Sequence, residues 1–593
     1  MKKTPVVSPM DAVIVSFQAS NGDAIHQDDV ICILEAMKVQ TQIVSPAAGK
    51  VSGIALEPGA LVKAGDPLAF IVPGEKGESV GKQVAAAASS NAAMDHAAAM
   101  LANTLDENRP EAVQKRHQKG YRTARENLAD LCDAGSFNEY GQLAIAAQRQ
   151  RRSVEDLREN TPGDGIITGT ATINSALFGK QRSQAAVIIN DYSVLAATQG
   201  FFHHAKLDRM IETADKLSLP VVMYTEGGGG RPGDTDVTTQ IAGLNLHSFL
   251  AWAKLAGKVP RITVNNGYCF AGSAALFGCG DVRIATKTSW IGMAGPAMIE
   301  GGGLGSFKPT DIGPIEVQAK NGVVDMVAED EAHATELAKQ VLGMFQGELG
   351  DWQAADQGQL GDIMPADRRF TYDIHKLLRI LVDTDSFLEL QPEFGKALVA
   401  GFARLEGRPI GVMANNCKVL GGAIDSDAAD KASRFLDLCG NFGLPVLSVC
   451  DTPGFMVGPD SEKEAAVHRM SQLFIAGARM ESPLVAVFLR KGYGLGAMAM
   501  AGGSFMRPTL SVSWPTGEFG GMGLEGAVHL GFRKELEAQP DKASRKALFD
   551  KLVQSFYEKG RATEAAAYLE IDGVIDPADT RDVVVRAFAA SGR

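Results

Sequence analysis

An internal repeat restricts the fold of this chain more than any other feature of its sequence. Leu219-Pro220-Val221 recurs as Leu444-Pro445-Val446 at an offset of 225, and Ser289-Trp290 recurs as Ser513-Trp514 at an offset of 224. In each copy, apolar strands alternate with longer helical stretches and run into glycine-containing turns, which is typical of α/β structure. The sequence therefore predicts two homologous α/β domains.

A second, shorter repeat marks the N-terminal region. Gly22 pairs with Gly59 and Asp29 with Asp66, both at an offset of 37. Short runs of alternating polarity lie between glycine turns, which indicates a compact β sandwich. Glu35-Ala36-Met37-Lys38 falls in the first connection of this repeat. A lysine held out on a tight hairpin suits covalent modification better than packing, although an ordinary surface lysine is the alternative.

Between these regions the composition changes. Residues 74–82 are polar and rich in glycine, and residues 85–94 are mostly alanine. About 35 flexible residues have a root-mean-square reach of roughly 30–35 Å, which suits a domain that visits two places. A spacer without a role is the alternative. We therefore expect four segments: a carrier domain at 1–73, a linker at 74–108, and α/β domains at 109–360 and 361–593.

Composition excludes several classes of protein. The net charge is −12, which disfavours nucleic acid as a partner. The seven cysteines are scattered and form no Cys-x-x-Cys pair, so we expect a reducing, cytoplasmic location without disulfides or a zinc ribbon. No apolar run approaches the length of a membrane span, and no signal-peptide core is visible. We find no metal-binding cluster, no Ser-His-Asp arrangement and no phosphate loop in the sequence.

Each α/β copy also places small residues between an apolar strand and a helix. These are Cys269-Phe270-Ala271-Gly272-Ser273 in the first copy and Tyr493-Gly494-Leu495-Gly496 in the second. We expect the helices to begin at Ala274 and Met498. Backbone N–H groups at such a turn can stabilise an oxyanion, whereas the alternative is that the glycines only permit close packing. Two matched turns favour the oxyanion interpretation.

Residues 5–73 resemble the biotinyl/lipoyl carrier family. Ser8-Pro9-Met10 opens the domain, and Ala36-Met37-Lys38 is the sequence of the biotinylated branch, although Asp11-Ala12 stands where the family commonly has Pro-Gly. The resemblance implies covalent biotin on Lys38, attached by a biotin protein ligase.

Residues 119–593 resemble the β-type carboxyltransferases of acyl-CoA carboxylases, which are built from two crotonase-like domains of the ββα-spiral type. The resemblance is carried by the following motifs: 122–126 (Arg-Thr-Ala-Arg-Glu), 269–273, 451–455 (Asp-Thr-Pro-Gly-Phe), 490–494 (Arg-Lys-Gly-Tyr-Gly) and 514–516 (Trp-Pro-Thr). It implies that the first domain binds acyl-CoA, that the second binds biotin, and that the active site lies across a dimer interface.

The resemblance also implies roles for individual positions. The amides of Gly272 and Ser273 would hold the enolate of an acyl-CoA thioester. The amides of Leu495 and Gly496 would hold the enolate of the biotin ureido group after carboxybiotin loses CO₂, so that biotin itself takes the α-proton. The further candidates for ligand binding are Gly227, Gly228 and Gly229, which would line the CoA pocket, and Phe455.

The expected assembly is a homo-oligomer, either a dimer or a hexamer, with a separate biotin carboxylase subunit that uses ATP and Mg²⁺. Two other functions stay open. One is a biotin-dependent decarboxylase of the methylmalonyl- or glutaconyl-CoA type, coupled to a membrane sodium pump. The other is a crotonase-fold scaffold without activity. The length of the acyl chain is left open as well.

Overall fold

The computed structural model describes residues 3–73, 87–237 and 243–591. The chain divides into two compact units, Met1–Met100 and Leu101–Arg593. Residues 74–86 of the predicted linker lie outside the described residues, and helix α1 (Ala87–Ala102) follows them. The boundary between the two α/β domains near residue 360 stays a prediction.

The N-terminal unit is a sandwich of two four-stranded sheets, in the orders β1-β8-β6-β3 and β5-β4-β2-β7. Its strands are β1 (Thr4–Val7), β2 (Ala12–Phe17), β3 (Ala24–Ile25), β4 (Val30–Ala36), β5 (Val39–Val44), β6 (Gly49–Ser52), β7 (Leu61–Val62) and β8 (Pro67–Val72). Alternate apolar side chains, such as Ile14, Leu34 and Ile71, fill the space between the sheets.

The offset of 37 is visible in the hydrogen bonds of this unit. Ser8 Oγ donates to the carbonyl oxygen of Met10 at 2.6 Å, and Ser45 Oγ donates to that of Ala47 at 2.7 Å. Both serines are buried. The two halves of the sandwich therefore turn their chains in the same way.

The second unit begins with a seven-stranded sheet, in the order β17-β15-β13-β12-β11-β10-β9, and a small parallel pair, β14 and β16. The strands are β9 (Asn138–Glu139), β10 (Ile166–Thr172), β11 (Gln184–Asn190), β12 (Val221–Tyr224), β13 (Arg261–Asn265), β14 (Tyr268–Phe270), β15 (Val282–Thr286), β16 (Trp290–Gly292) and β17 (Met326–Ala328). The helices are α2 (Pro110–His117), α3 (Ala124–Leu131), α4 (Val154–Asn160), α5 (Ser175–Arg182), α6 (Phe201–Leu217), α7 (Ser248–Lys254), α8 (Gly272–Gly278), α9 (Pro296–Gly301), α10 (Ile315–Gln318) and α11 (Glu331–Gly343).

A second sheet follows in the order β18-β19-β20-β21-β22-β23-β25, and β24 pairs with β22. The strands are β18 (Leu388–Leu390), β19 (Leu398–Leu405), β20 (Arg408–Asn415), β21 (Val446–Thr452), β22 (Leu484–Tyr493), β23 (Leu510–Ser513), β24 (Glu518–Gly520) and β25 (Gly573–Val574). The helices are α12 (Ile374–Leu381), α13 (Ser426–Asn441), α14 (Pro459–Lys463), α15 (Ala466–Arg479), α16 (Gly494–Met500), α17 (Leu524–Gly531), α18 (Arg533–Glu537), α19 (Lys542–Lys559), α20 (Ala562–Ala567) and α21 (Thr580–Ala590).

The two sheets have the same topology. Each begins with antiparallel neighbours, β9-β10-β11 or β18-β19-β20, and continues with parallel strands. In both, a long helix (α6 or α13) crosses between the first two parallel strands. One cluster of buried apolar side chains contains residues of both copies, so the copies share a core. The two homologous α/β repeats predicted from the offsets are present.

A buried lysine fixes the start of each repeat. Lys206 Nζ donates to the carbonyl oxygens of Gly163 at 3.0 Å and Ile166 at 2.5 Å. Lys431, its counterpart at an offset of 225, donates from Nζ to three carbonyl oxygens at 2.8–3.2 Å, those of Gln391, Phe394 and Leu398. Burial lowers the pKa of each lysine to about 8. These bonds tie α6 to the start of β10, and α13 to the segment that leads into β19.

No helix within residues 3–73, 87–237 and 243–591 has the length and apolar character that a membrane crossing needs.

Candidate functional site

Lys38 lies at the tip of the hairpin that joins β4 to β5. Ala36 pairs with Val39, so Met37 and Lys38 form a two-residue turn. Both have positive φ, 50° and 66°, which is the arrangement of a type I′ turn. The Met37 side chain is 98% exposed, and Lys38 is exposed too.

This turn is strained, because type I′ turns favour Asn-Gly and a side chain at positive φ costs roughly 1–2 kcal/mol per residue. The twelve paired residues of β4 and β5 hold it in place on a sandwich with a well-packed core. A tight turn on a sheet fixes the backbone of Lys38 and leaves its side chain exposed to solvent. The geometry fits attachment of a group to the Lys38 amine.

The first site consists of residues 227–229 and 271–273. The Gly227 N–H donates to the Tyr268 carbonyl oxygen at 2.7 Å, and the Phe270 N–H donates to the Gly227 carbonyl oxygen at 3.0 Å. A methyl group added to Gly229 would lie 2.7 Å from Ala271 Cβ. The three candidate glycines thus run directly beside the turn before α8.

At this turn the backbone is again strained. Ala271 has φ 52° and ψ −118°, a conformation that residues with a side chain rarely adopt. Helix α8 begins at Gly272, so the expected start at Ala274 is wrong by two residues. The cause is that glycine serves here as the first helical residue. Neither Gly272 N–H nor Ser273 N–H donates a hydrogen bond to any residue that the structure describes.

The second site consists of residues 454–455 and 494–496. A methyl group added to Gly496 would lie 2.6 Å from the Gly454 carbonyl carbon and 2.9 Å from the Phe455 nitrogen. Gly454 and Gly494 have positive φ, 119° and 58°. Within the described parts of the chain, the N–H groups of Leu495 and Gly496 make no hydrogen bond either.

Helix α16 begins at Gly494, so the expected start at Met498 is wrong, for the same reason as at α8. Both helices have only seven residues. The free N–H groups themselves, rather than a long helix dipole, therefore supply the positive potential at each site. The Leu495 side chain is 61% exposed, so it lies outside the packed core.

A buried ion pair lies behind each site. Arg116 donates both terminal nitrogens to the Glu226 carboxylate at 2.8 and 3.0 Å. Burial raises the pKa of Glu226 to about 7, although Arg116 opposes the shift. Asp451, at the matching position, accepts from Arg490 Nη2 at 2.9 Å. These pairs fix the ends of the strands that lead into residues 227–229 and 454–455.

Sequence reasoning missed one element of each site, the loops at 195–199 and 420–424. Three consecutive residues of each loop have positive φ: Leu195, Ala196 and Ala197 in the first, and Leu420, Gly421 and Gly422 in the second. The first loop carries Gln199 against Gly272, and the second carries Ile424 against the 454–455 segment. The sequence signal that relates these two loops is the offset of 225 between the repeats, which pairs Gln199 with Ile424.

The structure brings most candidate residues together. Gly227, Gly228 and Gly229 lie with Gly272 and Ser273, and Phe455 lies with Leu495 and Gly496. Lys38 belongs to the other compact unit. The described residues contain no group of three or more His, Cys, Asp or Glu side chains that could hold a metal ion.

Comparison with known proteins adds the following. The family model described as carboxyl transferase domain matches residues 115–592, and the one described as biotin-requiring enzyme matches residues 3–71. The methylmalonyl-CoA carboxyltransferase 12S subunit of Propionibacterium freudenreichii subsp. shermanii is 30% identical over 487 residues, which are 80% of this chain and 89% of that protein.

Two solved structures are also similar. A single-chain, multi-domain long-chain acyl-CoA carboxylase is 50% identical, with a TM-score of 0.81, and the match covers 99% of this chain. The chain spans 56% of the length of that carboxylase. The transcarboxylase 12S crystal structure, a hexamer, is 28% identical with a TM-score of 0.72, and the match covers 81% of this chain and 91% of that one.

Proposed function

The chain belongs to the carboxyl transferase family and joins that domain to a biotin-requiring domain, and on this basis we propose that it is the biotin carrier and carboxyltransferase component of an acyl-CoA carboxylase. The family resemblance and the fold class expected from the sequence, a small β biotinyl domain followed by crotonase-like carboxyltransferase domains, are confirmed. The proposal rests on one observation. The same strand-to-helix turn, with two N–H groups that make no hydrogen bond among the described residues, occurs at 272–273 and at 495–496, in a chain that also presents Lys38 on a hairpin.

In the first site, the N–H groups of Gly272 and Ser273 bind the thioester oxygen of acyl-CoA. Negative charge builds up on this oxygen when the α-carbon loses its proton. Each fixed N–H donor stabilises such charge by about 3–4 kcal/mol in enzymes where one has been removed. Gly227, Gly228 and Gly229 line the bound CoA through their main chain, which runs beside the turn before α8.

In the second site, the N–H groups of Leu495 and Gly496 face the biotin ureido oxygen, and Phe455 packs beside it. Biotin, when attached to Lys38, supplies the carrier for the carboxyl group. A biotin protein ligase makes that attachment on the exposed turn. The exposed Lys38 amine and the free N–H groups of the second site are compatible with this cofactor.

The proposal includes a second copy of the chain. Large apolar side chains are exposed around the second site, namely Leu420 (49%), Met456 (39%), Val457 (76%), Leu495 (61%) and Met498 (36%). Such a cluster on a protein surface is typical of an interface. We place the first site of another protomer against it, in a dimer or in a hexamer like that of the solved transcarboxylase 12S.

A biotin carboxylase that uses ATP and Mg²⁺ loads the carrier, and we place this activity on a separate subunit. We favour carboxylation over the decarboxylase direction because the 50% identical solved chain is a carboxylase. The free N–H groups retained at both sites argue against an inactive scaffold. Carboxylation of acyl-CoA by the purified chain alone, from ATP and bicarbonate, would contradict the separate subunit.

The test is Lys38→Arg, with Lys50→Arg as the control at another exposed lysine of the same domain. We expect Lys38→Arg to abolish carboxylation of acyl-CoA in the presence of the biotin carboxylase. Transfer from free N-carboxybiotin to acyl-CoA should persist, because both sites are intact. Lys50→Arg should retain both activities. Carboxylation by Lys38→Arg together with the biotin carboxylase would contradict the role of Lys38 as the carrier residue. Absence of both activities from the wild-type chain would contradict its assignment as a carboxyltransferase.

A further inference from the structure

We propose that Gln199 is a further catalytic residue of the first site, where its side-chain amide donates a hydrogen bond to the thioester oxygen of acyl-CoA. The inference rests on the proposed function, because it needs a thioester bound beside Gly272. It goes beyond the backbone N–H groups and gives the first site a side-chain donor that the second site lacks.

The position of Gln199 is fixed by its main chain. Its N–H donates to the Gly229 carbonyl oxygen at 2.7 Å, and its carbonyl oxygen accepts from the Arg231 N–H at 2.9 Å. Gln199 also forms a parallel bridge with Gly230. The residue is therefore locked alongside the glycine segment that is proposed to line CoA.

Its side chain reaches Gly272. A methyl group added to Gly272 would overlap the carboxamide oxygen of Gln199 and lie 3.2 Å from the carboxamide carbon. The carboxamide thus lies against the Cα of the residue whose N–H is proposed to bind the thioester oxygen. The carboxamide oxygen is the atom that faces Gly272, so the proposed bond requires a half-turn of the carboxamide about the Cγ–Cδ bond, which brings Nε2 to the place of Oε1.

The amide donor is unused in the structure. Gln199 is 4% exposed, and its Nε2 makes no hydrogen bond with any described residue. Buried polar groups are nearly always paired, because an unpaired donor loses its water without compensation. A ligand that brings an acceptor oxygen accounts for the unpaired donor. Ser273 Oγ is also buried and without a partner among the described residues, and it lies beside Gly227 of the same site.

The second repeat shows what the fold alone requires at this position. Ile424, the counterpart of Gln199, has the same backbone bonds: its N–H donates to the Gly454 carbonyl oxygen at 3.0 Å, and its carbonyl oxygen accepts from the Met456 N–H at 2.8 Å. Ile424 is fully buried. An apolar side chain of similar size therefore satisfies the packing, and the amide of Gln199 has no structural duty.

The counterpart of Ser273 is also apolar, since Ala497 occupies its place and is fully buried. The repeat has thus kept the backbone at both positions and changed only the polarity of the side chains. The polar version occurs where the proposed ligand is a thioester. A hydrogen bond from Gln199 would strengthen as charge develops on the thioester oxygen, and it moves no proton.

The experiment compares Gln199→Met with the wild-type chain in transfer from free N-carboxybiotin to acyl-CoA. We expect kcat to fall by about 10-fold or more while KM for acyl-CoA stays within about twofold, because the bond matters most in the transition state. The midpoint of thermal unfolding should stay equal or rise, because no partner is lost. Gln199→Glu, which keeps the shape but replaces the donor with a carboxylate, should lose at least as much kcat.

Gln340→Met is the matched control, because it makes the same change at an exposed position of α11, outside both sites. Its kcat should stay within about threefold of the wild-type value. A kcat within twofold of wild type for Gln199→Met would overturn the inference. So would a loss of kcat that accompanies a lower unfolding midpoint in both Gln199 variants, because that result indicates a structural role. If the wild-type chain transfers no carboxyl group, the proposed function fails instead.

Discussion

The two sites have the same backbone and different surroundings. At the first site, the Cα of Gly272 faces the side chains of Gln199 and Phe249, whereas at the second the Cα of Gly496 faces the main chain of Gly454 and Phe455. Side chains can move away from an added group, but a hydrogen-bonded main chain cannot. The duplication has thus preserved the position of the N–H groups and varied how rigidly they are enclosed.

The buried ion pairs differ in a similar way. Arg490 belongs to the same repeat as Asp451 and also donates to two carbonyl oxygens, those of Arg368 and Phe370, at 2.8 Å. Arg116 reaches Glu226 from α2, which precedes the first sheet, and lies over the rings of Tyr121 and Tyr192. The second site is therefore supported by a residue of the central strand β22, and the first by a helix that precedes its sheet.

The largest effect should come from Gly496→Ala. Its methyl group would press on main-chain atoms at 2.6–2.9 Å, so the N–H groups of the second site must shift. We expect a loss of at least about 100-fold in carboxyl transfer, as for loss of an oxyanion donor. Gly272→Ala should lose less, about 10-fold, because the Gln199 side chain can turn away. Steady-state transfer from free N-carboxybiotin measures both.

Gly361→Ala is the control for these substitutions, because an added methyl group there meets nothing within 4 Å and the residue lies outside both sites. Its activity should remain within about twofold of wild type. A larger loss in Gly272→Ala than in Gly496→Ala would contradict the distinction between a rigid and a yielding enclosure.

The next effect concerns the ion pairs. Arg490→Met leaves the Asp451 carboxylate, which is 1% exposed, without its partner. Such a loss costs about 3–5 kcal/mol of unfolding free energy. Arg116→Met should cost less, roughly 1–3 kcal/mol, because Glu226 can take up a proton. Urea unfolding at pH 7 compares the two, and an equal or larger cost for Arg116→Met would show that Glu226 keeps its charge.

A third, smaller effect is a pH dependence at the first site. The folded-state pKa of Glu226 is raised to about 7 from an ordinary value of 4.5, so the folded chain holds this proton more tightly than the unfolded chain. The resulting stability is present below pH 4.5 and is lost as the pH rises through 7. Between pH 5 and 8, the wild-type chain should therefore lose roughly 1–3 kcal/mol relative to Glu226→Gln.

Thermal unfolding from pH 5 to pH 8 measures this difference. Glu111→Gln, at an exposed carboxylate of α2, is the control and should run parallel to wild type. Parallel curves for wild type and Glu226→Gln would disprove the assignment of the proton to Glu226.

The smallest effect compares the two buried lysines. Lys431→Met removes the Nζ donor from three carbonyl oxygens, of which that of Gln391 keeps the N–H of Phe394; Lys206→Met removes it from two, of which that of Gly163 keeps the N–H of Ile166. One unsatisfied acceptor costs on the order of 1 kcal/mol, so Lys431→Met should be less stable than Lys206→Met by about that amount. Urea unfolding of both variants under the same conditions gives the difference, and the reverse order would mean that the repeats are anchored in another way.

Much of this organisation could be predicted from the sequence, because a duplication turns weak local signals into matched pairs. The glycine turns at Gly272 and Gly496 were found in this way. The helix starts differ from the expectation because a glycine between a strand and a helix is usually a turn residue, whereas Gly272 and Gly494 are the first helical residues. Arg116 and Glu226 were not paired, since 110 residues separate them and neither has a local signal.

Gln199 was missed for a more instructive reason. Its loop contains Ala196 and Ala197 where the second copy has Gly421 and Gly422, yet all four residues have positive φ. Glycine in a sequence indicates a possible positive φ, whereas alanine gives no such indication. A duplicated backbone conformation with positive φ can therefore persist after the glycines that indicate it have been replaced.

The left-handed turn at Met37 and Lys38 has a consequence for how the carrier is made. Neither residue favours that conformation in an unfolded chain, so the turn exists only after β4 and β5 have paired. A ligase that reads the shape of the turn meets its target only on carriers that have completed folding. Under the proposed biotinylation of Lys38, only a chain with a folded sandwich receives biotin.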